Sequence, residues 1–333
     1  TYEALPEDVL QVLRRSLLDT LGVAAIGSQS EMAQIGTKTA QALFGATATS
    51  SARCLFDGKL VSEAGAAMSG AMAIDSVDAH DGTSPCKGHA GSAIFPSIFS
   101  LADGRGLTGQ DLVTYLARAY EISNRAGLTQ HDICTDYHTS GAWTAVGVAA
   151  MTARILGCDA AQIHEAAGIG EYHGPRSQML RCIDHPTMVR DGVGWGAPTG
   201  ITAGILAHNG FTGAPALTCQ GPHWHGLGDS WKLVTDTHYK PYPCCRWSHP
   251  SIDAAAELMA RHTLSHQDIA SVVIKTFHNA TRLAGHTPVN ADEFAYSIAF
   301  PVACMIVRGQ VGVPELDISC LLYTSDAADD ALS

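Results

Sequence analysis

The chain has 333 residues, of which 46% are hydrophobic and only 16% charged. That apolar share can bury a sizeable core, and it excludes a disordered or polyelectrolyte chain. Lys and Arg number 20 against 32 Asp and Glu, a formal net charge of −12, which argues against nucleic-acid binding through a broad basic face.

The chain opens with TYEALPEDVLQVLRRSLLD, which lacks the basic and apolar segments of a signal peptide. It does not begin with Met, so a fragment is expected. Pro6 starts a helix whose apolar residues Val9, Leu10, Leu13, Leu17, Leu18 and Leu21 follow i, i+3, i+4 spacing, with Gly22 and Gly27 marking its end. Further helices are expected over 31–44, 62–74, 92–102, 109–123, 141–156, 160–168 and 194–208. Ala and Gly dominate them, so these helices can approach closely. Ser251 to Arg261 reads as another helix. Ile269–Phe277 (IASVVIKTF), β-branched and alternating, reads as the best strand in the chain. These elements predict a mainly α protein: a large all-helical domain over 1–235, then a smaller α+β domain over 236–318. Residues 319–333 form an acidic low-complexity tail that continues no pattern. They look like translated sequencing adapter and are expected to be non-native.

No apolar run reaches the length of about 18 residues that a membrane helix needs. The ten cysteines lack framework spacing and contain no CxxC. They read as reduced thiols of a cytoplasmic protein, without a structural zinc or iron–sulfur site. Weak charge beside 33 glycines suggests surface hidden in an oligomer.

Four polar stretches interrupt the helices. Residues 74–92 carry Asp75, Asp78, His80, Asp81, Lys87 and His89. They read equally as a site or as a solvated loop with helix caps, and Asp-x-His-Asp also offers metal ligands. Residues 136–147 place His138 and Thr139 just before a Gly/Ala helix. A histidine there can meet an anionic group or transfer protons, or the loop can serve as a cap. Residues 186–200 set Arg190 and Asp191 among glycines, which suits a carboxylate or phosphate, or close helix packing. Residues 239–253 bring Lys240, Cys244, Cys245, Arg246 and His249 together and add positive charge to an acidic protein, enough to draw in a small polyanion. His223 and His225 read as a polar loop. Neither G-x-S-x-G nor H-E-x-x-H occurs.

Together these stretches resemble the MmgE/PrpD family. The match runs from LLDTLGVAAIGS through DAHDGTSPCKGHAGSAIFPS, YHTSGAWTAVGVAA, MVRDGVGWGAPTGITAGILAHNGFTGAPA and YKPYPCCRWSHPSIDAA to AYSIAFPVACMIVRGQV, over nearly all of residues 1–315. The family includes 2-methylcitrate dehydratases, cis-aconitate decarboxylases and iminodisuccinate epimerases. The resemblance implies chemistry on small di- or tricarboxylates without metal or organic cofactor, a homodimer, and a smaller domain that acts as a lid. Relatives return to the helical domain after the lid. That return is not seen here, so the lid is expected to be incomplete at the C-terminus. By the same resemblance Asp78, His89, His138 and Lys240 are catalytic. Arg190 stands where relatives carry a substrate-binding lysine, and His80, Asp81, Lys87, Thr139, Arg246 and His249 are expected around the substrate. Phe300 and Cys245 stand where decarboxylating relatives have tyrosine and histidine.

The expected activity is therefore a hydro-lyase on a 2-methylcitrate-like acid, with an epimerase or decarboxylase as the alternative within the family. From other classes come a metal-dependent hydrolase using Asp78, His80, Asp81 and His89, and a non-catalytic helical assembly protein.

Overall fold

In the computed structural model, residues 1–316 are described, and the tail expected from 319 onward lies outside them. Pro6 precedes α1 (Glu7–Gly27). Val9, Leu10 and Leu13 turn inward, whereas Leu18 is 77% exposed. The helix runs through Gly22 and stops at Gly27, where a Cβ would collide with the Ala73 carbonyl at 1.9 Å. Ser30 caps α2 (Glu31–Leu43) and Ser62 caps α3 (Glu63–Asp75), each accepting from a first-turn N–H. Between those two helices, β1 (Ala52–Arg53) pairs antiparallel with β2 (Leu60–Val61).

Beyond α3 come β3 (Gly82–Thr83), α4 (Gly91–Arg105), α5 (Gly109–Ile133), α6 (Ser140–Ile155), α7 (Ala160–His173), α8 (Met179–Asp184) and α9 (Val193–His208). They are followed by α10 (Lys232–Asp236), β4 (Thr237–His238), α11 (His249–His262), α12 (Ala291–Ala295) and α13 (Ala299–Arg308). The protein is mainly helical, with a large N-terminal helical part and a smaller C-terminal one, as the sequence pattern predicts.

Two compact units divide the described residues. The first comprises Thr1–Ser76, His80–Met179 and Arg190–Tyr239. The second comprises Val77–Ala79, Leu180–Val189 and the residues from Lys240 onward.

At the centre of the first unit lies α6, buried from Ser140 to Ala153 and packed on α9, α5 and α7. A helix that is apolar all round must be covered all round. The seam between α6 and α9 depends on missing side chains. Gly196, Gly200 and Gly204 recur every fourth residue on α9, so they share one face. A Cβ on each would lie 2.6 Å from the Gly141 oxygen, 2.5 Å from Val148 Cβ and 2.5 Å from Thr152 Cβ, respectively. The poor helix propensity of glycine is offset here by close backbone contact.

Helix α5 runs on to Ile133, past the expected stop at 123. Its buried Arg125 pairs with Glu121, Nε to Oε1 at 2.6 Å, and donates to the carbonyls of His223, His225 and Ser230. The His223–Trp224–His225 stretch is thus a loop clamped by one arginine. Antiparallel pairing of β3 with β4 sets Gly82 opposite His238 and Thr83 opposite Thr237, which pins the loop leading to His89.

In the second unit, α11 packs on α13 over a core of Cys244, Ile252, Phe294, Phe300, Val302, Cys304 and Ile306. The strand expected at 269–277 does not form. Among the described residues no segment pairs with it, and Val273 is 80% exposed. Alternation defines a face, but a strand also needs a neighbour to take its backbone hydrogen bonds. The nine described cysteines are free thiols. Among the described residues no helix is long and apolar enough to cross a membrane.

Candidate active site

Three of the five non-glycine residues with positive φ among the described residues are Asp78 (47°), Lys87 (53°) and Arg190 (39°). A left-handed conformation costs such a side chain about 1–2 kcal/mol. The strain therefore collects in the stretches that the sequence marks as chemical, and strain of this kind clusters at functional sites.

In the first unit, His80, Asp81 and His89 follow α3 and lead into α4. His80 is fully buried, its Nε2 lying 3.2 Å from Asp75 Oδ1, and its ring stacks on that of His89 with centroids 4.2 Å apart. His89 Nδ1 lies 2.6 Å from the Asp81 carbonyl oxygen. A carbonyl only accepts, so Nδ1 carries the proton and Nε2 is the position left for exchange. That Nε2 faces Asp191 Oδ2 at 3.8 Å. The backbone N–H of His89 donates to Ser140 Oγ at 2.9 Å, and the Ser140 hydroxyl donates to Asp191 Oδ1 at 2.9 Å.

Asp81 is oriented differently. Its Oδ1 accepts from the Gly91 N–H at the start of α4 (3.1 Å), and its Oδ2 from the Tyr120 hydroxyl (2.6 Å). Burial, reinforced by the Asp81 charge, holds the Tyr120 phenol well above its ordinary pKa, so it stays a donor. Asp81 thereby ties the loop to α4 and α5.

His138 repeats the arrangement of His89. Its Nδ1 lies 2.7 Å from the Asp136 carbonyl, so Nδ1 again donates and Nε2 is again the exchange position. Thr139 is buried and is the N-cap residue of α6. Its N–H donates to the Ser177 carbonyl, while the Gly141 N–H donates to the carbonyl of Asp191, both at 2.9 Å. The start of α6 is thus held against the segment that carries Arg190 and Asp191, and Arg190 is itself buried. Nearby His131 has its pKa pulled down by burial, against a hydrogen bond to the Gly127 carbonyl. Lys87 points outward, its ammonium 5.8 Å from the centre of the Tyr137 ring.

The second unit collects Asp78, Lys240 and His249. Lys240 Nζ donates to Asp78 Oδ1 at 2.5 Å and to the Asp78 carbonyl at 2.9 Å. Both side chains are buried, at 1% and 4% exposure, so the pair is a fully desolvated salt bridge. His249 Nε2 donates to the Cys244 carbonyl at 3.0 Å. Burial, and then the neighbouring Lys240 charge, pulls its pKa down to about 4, so the ring is neutral at pH 7. Burial pushes the Cys244 and Cys245 thiols up to about 12. Arg246 is on the surface.

The structure thus brings His80, Asp81 and His89 together in one unit, beside the start of α6 at Thr139. It gathers Asp78, Lys240 and His249 in the other, and leaves Lys87 and Arg246 exposed. The sequence reading does not single out Ser140, and it notes Asp191 only as the neighbour of Arg190 among glycines without giving it a role, yet these two residues link the His89 loop to α6. The only sequence signal for them is their position at the heads of two Gly-rich helices. His80, His89 and Asp191 each present one metal-ligand atom, all within 4.8 Å of one another.

Residues 1–227 match the MmgE/PrpD N-terminal domain, and residues 242–323 match the MmgE/PrpD C-terminal domain. The cis-aconitate decarboxylase of Aspergillus terreus is 23% identical over 372 aligned positions, covering 98% of this chain and 72% of that protein. The cis-aconitate decarboxylase of Homo sapiens is 24% identical over 335 positions, covering 93% of this chain and 68% of that protein.

Proposed function

Because this chain belongs to the MmgE/PrpD family, we propose that it is a lyase that removes a proton alpha to a carboxylate of a small di- or tricarboxylic acid, without an organic cofactor. One observation carries this reading: His89 and His138 each donate Nδ1–H to a backbone carbonyl, which presets both rings for proton exchange at Nε2. Proton transfer by such a positioned imidazole contributes about 10²–10⁴-fold to a rate.

In the reaction we propose, His138 takes the alpha proton and His89 delivers a proton to the leaving hydroxyl. Asp191 stands 3.8 Å from His89 Nε2 and offsets the charge of the protonated ring. The enolate-like species that forms is anionic, and buried Arg190 supplies fixed positive charge to stabilise it. In the second unit, Asp78 holds the Lys240 ammonium in place.

The reading favoured here is dehydration of a 2-methylcitrate-like acid. Decarboxylation would need a proton donor for the carbanion left when CO2 departs. Phe300 has no proton to give, and burial raises the Cys245 thiol to about 12, which makes it a weaker acid than an ordinary thiol. Decarboxylation remains the second reading because both curated relatives are named for it.

Proton NMR in deuterated water, with EDTA present, separates these outcomes. The substrates are 2-methylcitrate, citrate, cis-aconitate and iminodisuccinate. Loss of water to an alkene is the expected result. Loss of one carboxyl as CO2 from cis-aconitate would favour the second reading. Deuterium entering without elimination would indicate epimerisation. No conversion and no exchange with any of them would refute the proposal.

A further inference from the structure

Nearby carbonyls set the tautomers of His89 and His138, but they do not set the spacing of the two loops that carry these rings. Two long-range hydrogen bonds join the loops. The His89 N–H donates to Ser140 Oγ at 2.9 Å, and the Tyr137 hydroxyl donates to the Lys87 carbonyl. Tyr137 and Ser140 stand on either side of His138 in the chain, and Lys87 lies two residues before His89. Segments 87–89 and 137–140 are therefore tied at both ends.

Each side of this tie is itself held. The Tyr137 ring lies against the His131 ring of α5, with centroids 5.5 Å apart, and the Tyr137 carbonyl accepts the Met179 N–H at 2.8 Å. On the other side, Gly88 presses against α6, where a Cβ would lie 2.5 Å from Ser140 Oγ and 2.9 Å from Trp143 Cζ2. Immediately before it stands Lys87, with φ 53°. The strain of a non-glycine residue in that conformation is about as large as the net gain from one hydrogen bond. The bond from the Tyr137 hydroxyl is thus of the size that decides whether this peptide keeps its place. If the peptide relaxes, His89 shifts relative to His138.

We propose that Tyr137 is a positioning residue of the lyase, whose hydroxyl holds the strained Lys87 peptide and so fixes His89 relative to His138. The proposal rests on the lyase reading, in which one ring takes a proton and the other delivers one. Misplacing a reacting group by about 1 Å can cost about 10²-fold in rate, and loss of one of the two ties is expected to cost about tenfold.

The test variant is Tyr137→Phe, which keeps the ring against His131 and removes only the hydroxyl. With a substrate that the wild type converts, kcat should fall about tenfold while KM stays within about twofold. The loss should depend on Lys87. Glycine adopts positive φ without strain, so in a Lys87→Gly background the same Tyr137→Phe change should cost less than about twofold in kcat. A hydroxyl that touched substrate would cost the same in both backgrounds. One that only braced the fold would lower the melting midpoint and leave kcat alone. Hydrogen exchange gives a readout without turnover: the His89 amide should exchange at least about tenfold faster in Tyr137→Phe, with the amides of α5 and α6 unchanged. An unchanged kcat, an unchanged His89 amide, or an equal loss of kcat in both backgrounds would each overturn the proposal. A wild type that converts no substrate would refute the lyase reading, and the exchange rates would still decide whether the hydroxyl holds the His89 loop.

Discussion

His89 and His249 are the same side chain, held in two different ways. In the first unit the His89 ring is aimed by a carbonyl at Nδ1 and keeps Nε2 toward a carboxylate. In the second unit the His249 ring is aimed by a carbonyl at Nε2 and sits near the buried Lys240 charge, with its pKa pulled down to about 4. The first arrangement prepares a group to exchange protons. The second keeps a group neutral. A histidine's role thus follows from which nitrogen the backbone holds and which charge lies nearest, and not from the residue type.

The strongest way to break this contrast is to remove the charge that dominates the second unit. Lys240→Met leaves Asp78 buried without its cation. Loss of one partner of a buried pair costs about 3–5 kcal/mol, measurable as a lower midpoint in urea. The double variant Asp78→Asn, Lys240→Met should recover much of that loss. A single variant as stable as wild type would mean that the pair is not buried in solution.

The next effect is a pH dependence. The folded-state pKa of His249, about 4, lies below its ordinary value of 6.5. Between those values the unfolded chain binds the extra proton and the folded chain does not. Stability is therefore fully present above pH 6.5 and declines as the pH falls toward 4. The limiting slope is about 1.4 kcal/mol per pH unit. His249→Gln should flatten urea midpoints across that window, and an unchanged slope would assign the pH dependence to other groups.

A smaller effect tests the support beneath the first unit's histidines. Gly196→Ala pushes a methyl against Gly141 at the head of α6, one residue from Ser140. Overpacking of this kind costs about 1–3 kcal/mol. Because Ser140 and Asp191 are held by the same seam, any lyase activity should fall along with stability. Smallest of all is Lys87→Ala. The side chain is exposed, so stability should change by less than about 0.5 kcal/mol in the same urea assay.

Much of the fold is legible in the residue pattern. Helix α1 follows from its apolar stripe, and α6 and α9 follow from runs of small residues. The end of α5 does not, because Asn124, Arg125 and Gln130 look like a polar loop. They are buried, and Arg125 is neutralised by Glu121 and by carbonyls about a hundred positions along the chain. The strand at 269–277 fails for the opposite reason: its pattern is local and correct, but pairing requires a partner. The site is half legible. Its histidines, lysine and acidic loop stand out by composition. Asp191 and Ser140 do not, since the bond that joins them spans 51 positions.

By itself the sequence determined the helices, the polar loops between them and membership of the MmgE/PrpD family, because periodicity and motif spacing are local properties of the chain. Only the tertiary structure decided which charges face the imidazoles. The carbonyls that set the tautomers of His89, His138 and His249 lie within eight positions of each ring. The Asp191 carboxylate facing His89, however, comes from a segment far along the chain, and for His249 the neighbouring charge that matters comes from Lys240 rather than from its own helix. Those charges are brought in by folding, and residue order alone does not contain them.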